Sequence, residues 1–162
     1  MKTLKDLFEH QLKDLHNAEQ QLIAAIPDMI EKASNQKLKT IFEDHLEETK
    51  RQKERIVEIC EELDIKPKGE TCKAMKGIIQ EAKDFIKHDA SSEVMDAGLI
   101  AQAQRVEHYE ITGYGTAVRY AKELGYNKIS KKLQETLDEE YKADESLNKL
   151  AESRLNEKAV QN

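Results

Sequence analysis

The sequence predicts an all-α fold, and three observations carry that expectation. Apolar residues recur at three- and four-residue spacing through long segments. Charged residues make up 36% of the 162-residue chain, both signs interleaved, as on solvated helix faces. Proline occurs twice, glycine six times and tryptophan never, so little punctuates these segments. The length corresponds to one ordinary domain, 1–162, with room for a sizeable core.

The first helix is expected over about 3–33, with Leu4, Leu7, Phe8, Leu12, Leu15, Leu22, Ile23, Ile26 and Ile30 at helical spacing. Pro27 removes one backbone hydrogen bond and crowds the preceding turn, which predicts a kink or restart near Ile26 to Asp28. Ser34 and Asn35 make a corner into a second helix, about 36–63, whose stripe holds Leu38, Ile41, Phe42, Ile56, Ile59, Cys60 and Leu63. A break from Asp64 to Gly69 contains Pro67 and Gly69, and a shorter amphipathic helix follows over about 71–88. The next long helix covers about 91–124, with Ser91 or Ser92 as N-cap and Gly125 as its stop. The last covers about 127–156 through Ile129, Leu133, Leu137, Leu147 and Leu150, before a frayed tail at 158–162.

Tight corners make each pair of long helices an antiparallel hairpin. The long crossover with its own short helix lets the second hairpin reverse its starting end, which gives a ferritin-like four-helix bundle with a short fifth helix.

The net charge of −6, without a basic stripe, argues against nucleic-acid binding. Charges break the apolar run at the start, so neither a signal peptide nor a membrane span is expected there, and a cytoplasmic location follows. Cys60 and Cys72 lack metal-ligand spacing to a second pair and are expected as free thiols, with a disulfide across the Asp64 to Gly69 turn as the minor alternative.

Four of the helical stripes that should be apolar carry ionisable groups: Glu19; His45 and Glu48; Glu107 and Glu110; Glu140 and Asp144. One glutamate on a helix face is usually solvated. Four such stripes are harder to attribute to chance, because buried carboxylates without partners are costly and a shared cation would hold them. Counting the helical rise from each corner sets Glu19 level with Glu48, Glu110 opposite Glu140, and Glu107 opposite Asp144 one turn deeper. The spacings of three and four put each pair on one face. Oxygen and imidazole donors in this number suit two metal ions, iron or manganese, with zinc also able to bind.

The same segments carry a resemblance. Leu12-Lys13-Asp14-Leu15-His16-Asn17-Ala18-Glu19-Gln20-Gln21-Leu22, Phe42-Glu43-Asp44-His45-Leu46-Glu47-Glu48-Thr49, Gln104-Arg105-Val106-Glu107-His108-Tyr109-Glu110-Ile111 and Leu137-Asp138-Glu139-Glu140-Tyr141-Lys142-Ala143-Asp144-Glu145 resemble the YciF/YciE family of ferritin-like domains, from about Leu4 to Ala151. The resemblance implies a ferritin-like bundle, commonly a dimer, in the bacterial cytoplasm and associated with stress responses. Related rubrerythrins and ferritins use a carboxylate-bridged di-iron centre that reacts with peroxide or oxygen. By matching positions it implies Glu19, Glu48, Glu107 and Glu140 as core ligands, with Glu110 as the extra acid of rubrerythrins. The usual Glu-x-x-His pairs are missing, since Arg51 and Ala143 stand where histidine would. His45 and Asp144 are the available substitutes.

Among other residues, Gln52 lies on the ligand face one turn beyond Glu48, placed to hydrogen-bond a ligand or to serve as a structural amide. His16 and His108 are expected at the surface or behind the ligands, and Tyr109, Tyr114 and Tyr120 in the core or at an interface. Two functions fit: a dinuclear metal protein that consumes peroxide or handles iron, served by an external reductase because two cysteines cannot form an internal rubredoxin-like site, or a non-catalytic helical module that oligomerises or binds a partner through the 71–88 segment.

Overall fold

The computed structural model describes residues 1–155 and 159–160. It comprises α1 (Leu4–Lys32), α2 (Gln36–Glu62), α3 (Lys73–Phe85), α4 (Ser92–Glu123), α5 (Asn127–Leu150) and a π-helical turn, Ala151–Leu155. The chain is all-α, with no strand among the described residues. The long helices pack as a closed bundle in which α1 touches α2 and α4, and α5 touches α2 and α4, while α3 lies across α1 and α4.

Local chemistry sets the helix ends. Thr3 and Asp6 form a reciprocal capping box that starts α1. That helix runs unbroken through Pro27, without the expected restart. Pro27 is exposed, so water can satisfy the carbonyl that proline deprives of a helical donor. Gly125 ends α4 at φ 76°, with Tyr126 N donating to the Ala121 carbonyl at 2.8 Å. Asp64 does the same for α2 at φ 55°, where Ile65 N donates to the Cys60 carbonyl at 2.8 Å. The short helix begins at Lys73 rather than 71, because Cys72 is its N-cap and its Sγ accepts from Met75 N; it ends at Phe85 rather than 88. After Leu150 the last helix widens into the π-turn instead of continuing as α-helix. Its expected end at Asn156 lies outside the described residues, as does the expected tail at 158–162 apart from the helical pair 159–160.

Buried Asp96, in the first turns of α4, accepts hydrogen bonds from Ser34 N, Ser34 Oγ and Asn35 N at 2.7, 2.5 and 2.9 Å. It ties the α1–α2 corner to the second hairpin. Cys60 and Cys72 are both free and buried, each in a different apolar cluster, so the turn between them does not bring them together as a disulfide.

The apolar core comes in two parts. One gathers Leu22, Ile26, Leu38, Phe42, Leu99 and Leu147; the other gathers Phe8, Leu12, Leu15, Ile56, Tyr114 and Leu133. The ionisable residues of the four stripes lie in sequence between members of the two parts, so a polar layer separates them.

The α3 helix reaches α4 by a close approach at Gly98, where an added Cβ would meet Phe85 Cζ at 1.9 Å. Gly98→Ala is therefore expected to destabilise the protein by about 1–2 kcal/mol, the overpacking cost less the helix propensity gained. Urea unfolding checks this: in a Phe85→Ala background the same substitution becomes neutral or stabilising, and an equal loss in both backgrounds would refute the contact.

Candidate metal centre

The inner stripe of α2 reads Leu38, Phe42, His45, Thr49, Gln52 and Ile56, all buried. His45 therefore points into the bundle. On α4 the stripe carries Glu107 and Glu110, and on α5 it carries Glu140. His45, Glu107, Glu110 and Glu140 each bring a ligand atom within 4.8 Å of the others. Glu19 on α1, fully buried, borders the group, and the hydroxyl of buried Tyr114 donates to its Oε1. His45 Nε2 stands 3.5 Å from Glu107 Oε1 without hydrogen-bond geometry.

Seven buried atoms in this layer lack a hydrogen-bond partner: Glu19 Oε2, both His45 nitrogens, Glu107 Oε2, both Glu110 oxygens and Glu140 Oε2. Folded proteins almost always partner such atoms, so their convergence makes this layer a place where a cation could bind. Burial, reinforced by neighbouring carboxylates, pushes Glu19, Glu107 and Glu110 well above the ordinary carboxyl range. Burial also raises Glu140, to about 7, while Glu107 and Gln52 moderate the rise by hydrogen bonding. Burial lowers His45 to about 4, so its imidazole is neutral near pH 7 and able to donate a lone pair to a metal. One imidazole with several carboxylates is a donor set that iron, manganese or zinc accepts.

A second tier holds Glu140. Gln52 Nε2 donates to Glu140 Oε1 at 2.5 Å and to Glu139 Oε2 at 3.1 Å. Arg55 clamps Glu139 through both guanidinium nitrogens, at 2.9 and 3.1 Å. Burial would raise Glu139, but Arg55 and Gln52 hold its carboxyl below the ordinary range.

The expected ligands thus divide. His45, Glu107, Glu110 and Glu140 converge, with Glu19 beside them. Glu48 is half-exposed and lies 3.9 Å from Arg51, at the flank of the layer. Asp144 is also half-buried, accepting from Gln104 at 3.2 Å and facing exposed His108 at 3.4 Å. Of the amides and tyrosines, Gln52 binds a candidate ligand, and Tyr114 combines a core position with its bond to Glu19. His16 is buried rather than at the surface. The Arg55–Glu139 pair had no periodic signal, since both residues sit beside the apolar stripes.

Between α2 and α5, a cavity of about 180 Å³ reaches His45 and Glu107, with Ile41, Phe42 and Leu147 among its walls and exposed Asp44 and Lys142 at its rim.

Two predictions follow from this geometry. In metal-free protein the raised carboxyls retain protons that the unfolded chain has lost above about 4.5, so their contribution to stability falls as pH rises, Glu140's being gone above about 7. His45 acts oppositely between about 4 and 6.5 but is outnumbered. The thermal midpoint of metal-free protein should therefore drop between pH 5 and pH 8; a rise would contradict the buried layer. Separately, Gln52→Leu removes the donor to Glu140 and should weaken iron(II) or manganese(II) binding about 10–100-fold in chelator competition.

A family profile described as a domain of unknown function (DUF892) matches residues 3–160. The chain is 48% identical over 160 residues to Protein YciF of Escherichia coli (strain K12), covering 98% of this chain and 96% of that one. Its fold matches the crystal structure of the E. coli stress protein YciF with a TM-score of 0.92 at 47% identity, covering 96% and 99% of the two chains. It also matches YcfI of Rhodopseudomonas palustris, with a TM-score of 0.89 at 43% identity and coverages of 91% and 94%. On sequence and structure together, the chain belongs to the DUF892 family, the family of YciF.

Proposed function

We propose that this is a dinuclear metal-binding protein of the bacterial stress response, in which a carboxylate-bridged pair of iron ions, or iron with manganese, removes peroxide or handles iron. The observation that carries the proposal is the buried layer of four carboxylates and a neutral imidazole with seven unpartnered atoms. The likeness to a protein described as a stress protein supports the setting.

His45, Glu107, Glu110 and Glu140 would hold one ion, Glu19 with its neighbours Glu110 and Glu140 a second, and flanking Glu48 and Asp144 are the remaining candidate ligands. Bound iron would supply the electrons that cleave an O–O bond. The chain's own residues do the rest: Gln52 orients Glu140, Tyr114 fixes one oxygen of Glu19, and the apolar clusters on either side restrict water. Electrons would come from an external reductase, since only two cysteines are present. A homodimer in the cytoplasm completes the proposal. No helix among the described residues is long and apolar enough to cross a membrane.

One observation favours a second reading, a non-catalytic protein with a single structural ion: among the described residues four converge on one point, while Glu48 and Asp144 stand aside. The case for α3 as a partner-binding segment is weaker, because Met75 and Phe85 of its apolar face pack within the chain. Metal analysis of protein produced with iron separates the readings. Two iron ions per chain, lost in Glu107→Ala and Glu140→Ala, with peroxide turnover by the loaded protein, would support the di-iron proposal. One tightly held ion without turnover would support the structural reading, and metal-free wild type with unchanged variants would sink both.

A further inference from the structure

The cavity beside the metal layer is larger than the smallest peroxide requires. Its volume of about 180 Å³ corresponds to roughly six waters at ~30 Å³ each, whereas hydrogen peroxide has only two heavy atoms. At its inner end stands His45, buried, with both ring nitrogens unpartnered. Its walls include the apolar Ile41, Phe42 and Leu147.

Outward, the cavity shares Ile41 and Ser146 with a groove of about 530 Å³ between the first turns of α2 and the last turns of α5. Ile41 and Leu150 give the groove apolar surface, and Lys37 and Lys149 give it two cations. Lys149 is engaged by Glu145 at 2.7 Å. Lys37 has no carboxylate partner among the described residues, and it lies in the first turn of α2, where the helix dipole adds to its attraction for an anion. From the surface inward the path therefore offers a cation at Lys37, then apolar walls from Ile41, Phe42 and Leu147 alongside the charged Asp44, Glu48 and Lys142, and then the candidate metal ligands His45 and Glu107. That order matches a molecule with an acidic head, an apolar chain and a reducible group along the chain.

We propose that the groove and cavity together bind an organic hydroperoxide of fatty-acid type, its carboxylate at Lys37, its chain over Ile41 and its peroxide group directed toward His45 and Glu107. The inference rests on the peroxide reading above and names the substrate class of that site. The reaction is ROOH + 2 H⁺ + 2 e⁻ → ROH + H₂O. The O–O bond would break as iron(II), if held by His45, Glu107, Glu110 and Glu140 with Glu19 beside them, supplied the two electrons; the protons would come from solvent, and an external one-electron reductant would restore the iron. Bulk apolar contact along Ile41 would favour such a substrate over hydrogen peroxide.

Binding is tested first on metal-free protein, by calorimetric titration with decanoate and with decanol, which share a chain and differ in charge. Wild type is expected to bind both. Lys37→Glu, at an exposed position that leaves the core intact, should weaken decanoate severalfold and leave decanol unchanged. Ile41→Glu should weaken both by about tenfold or more, since a carboxylate would then face the chain. In iron-loaded protein, Ile41→Glu should lower the ratio of kcat/KM for a fatty-acid hydroperoxide to that for hydrogen peroxide by about tenfold. If Ile41→Glu proves unfolded, Lys37→Glu carries the same comparison. Loaded wild type that reduces hydrogen peroxide but binds no decanoate would overturn this inference and leave the peroxide reading standing. Decanoate binding without reduction of any peroxide would overturn the peroxide reading and the hydroperoxide assignment with it.

Discussion

Four glutamates and one histidine share a single buried layer, and among the described residues no lysine or arginine reaches those glutamates. Most of the bundle can be understood as the means of keeping that layer in place. Carboxylates removed from water and set against one another are held only by taking up protons or by a cation. The apolar clusters on either side supply the burial that holds the helices together, and Asp96 locks the α1–α2 corner onto α4 so that the two hairpins keep their relative height. A bundle with a continuous apolar core would gain stability in the middle that this one gives up. A layer built at that cost is what a bound cation would offset, by replacing the protons the carboxylates otherwise need.

The second tier shows how a basic residue can serve such a site without occupying it. Arg55 binds Glu139, the neighbour of Glu140 in sequence, and leaves Glu140 itself to an uncharged amide. A guanidinium in contact with Glu140 would neutralise the carboxylate and repel an incoming cation. Placed one residue away, it fixes Glu139, and Gln52 links that fixed carboxylate to the ligand oxygen. Tyr114 plays the corresponding part for Glu19 through a hydroxyl, also without charge.

Much of this was legible in the sequence, for reasons that also explain the remainder. Helical period exposes any polar residue on an apolar stripe, so Glu19, Glu107, Glu110 and Glu140 stood out, and counting from the corners placed them near one height. Period alone does not choose between His45 and Glu48. Three residues turn a helix by about 300°, so the two are offset by about 60°, and the neighbouring apolar positions decide which lies nearer the centre. The run from Leu38 through Phe42, Thr49, Gln52 and Ile56 centres His45 and leaves Glu48 at the edge. Asp144 lay on its stripe but was drawn aside by Gln104 and His108 across the α4–α5 interface. Asp96, Gly98 and the Arg55–Glu139 pair depend on contacts between distant segments, which no local pattern encodes.

The layer also joins the two hairpins chemically. Its converging donors come from α2 in the first hairpin and from α4 and α5 in the second, with Glu19 of α1 adjoining. An ion bound there would link hairpins that the long crossover joins only loosely in sequence. Without it the layer depends on protons held by carboxyls whose affinities burial has raised, and that support weakens as pH climbs through the neutral range. A metal arriving near pH 7 must therefore displace protons as it binds, so its apparent affinity rises with pH and its binding energy is shared with the assembly of the bundle. The features that make the centre costly to build without an ion are the same ones that make it selective for a cation.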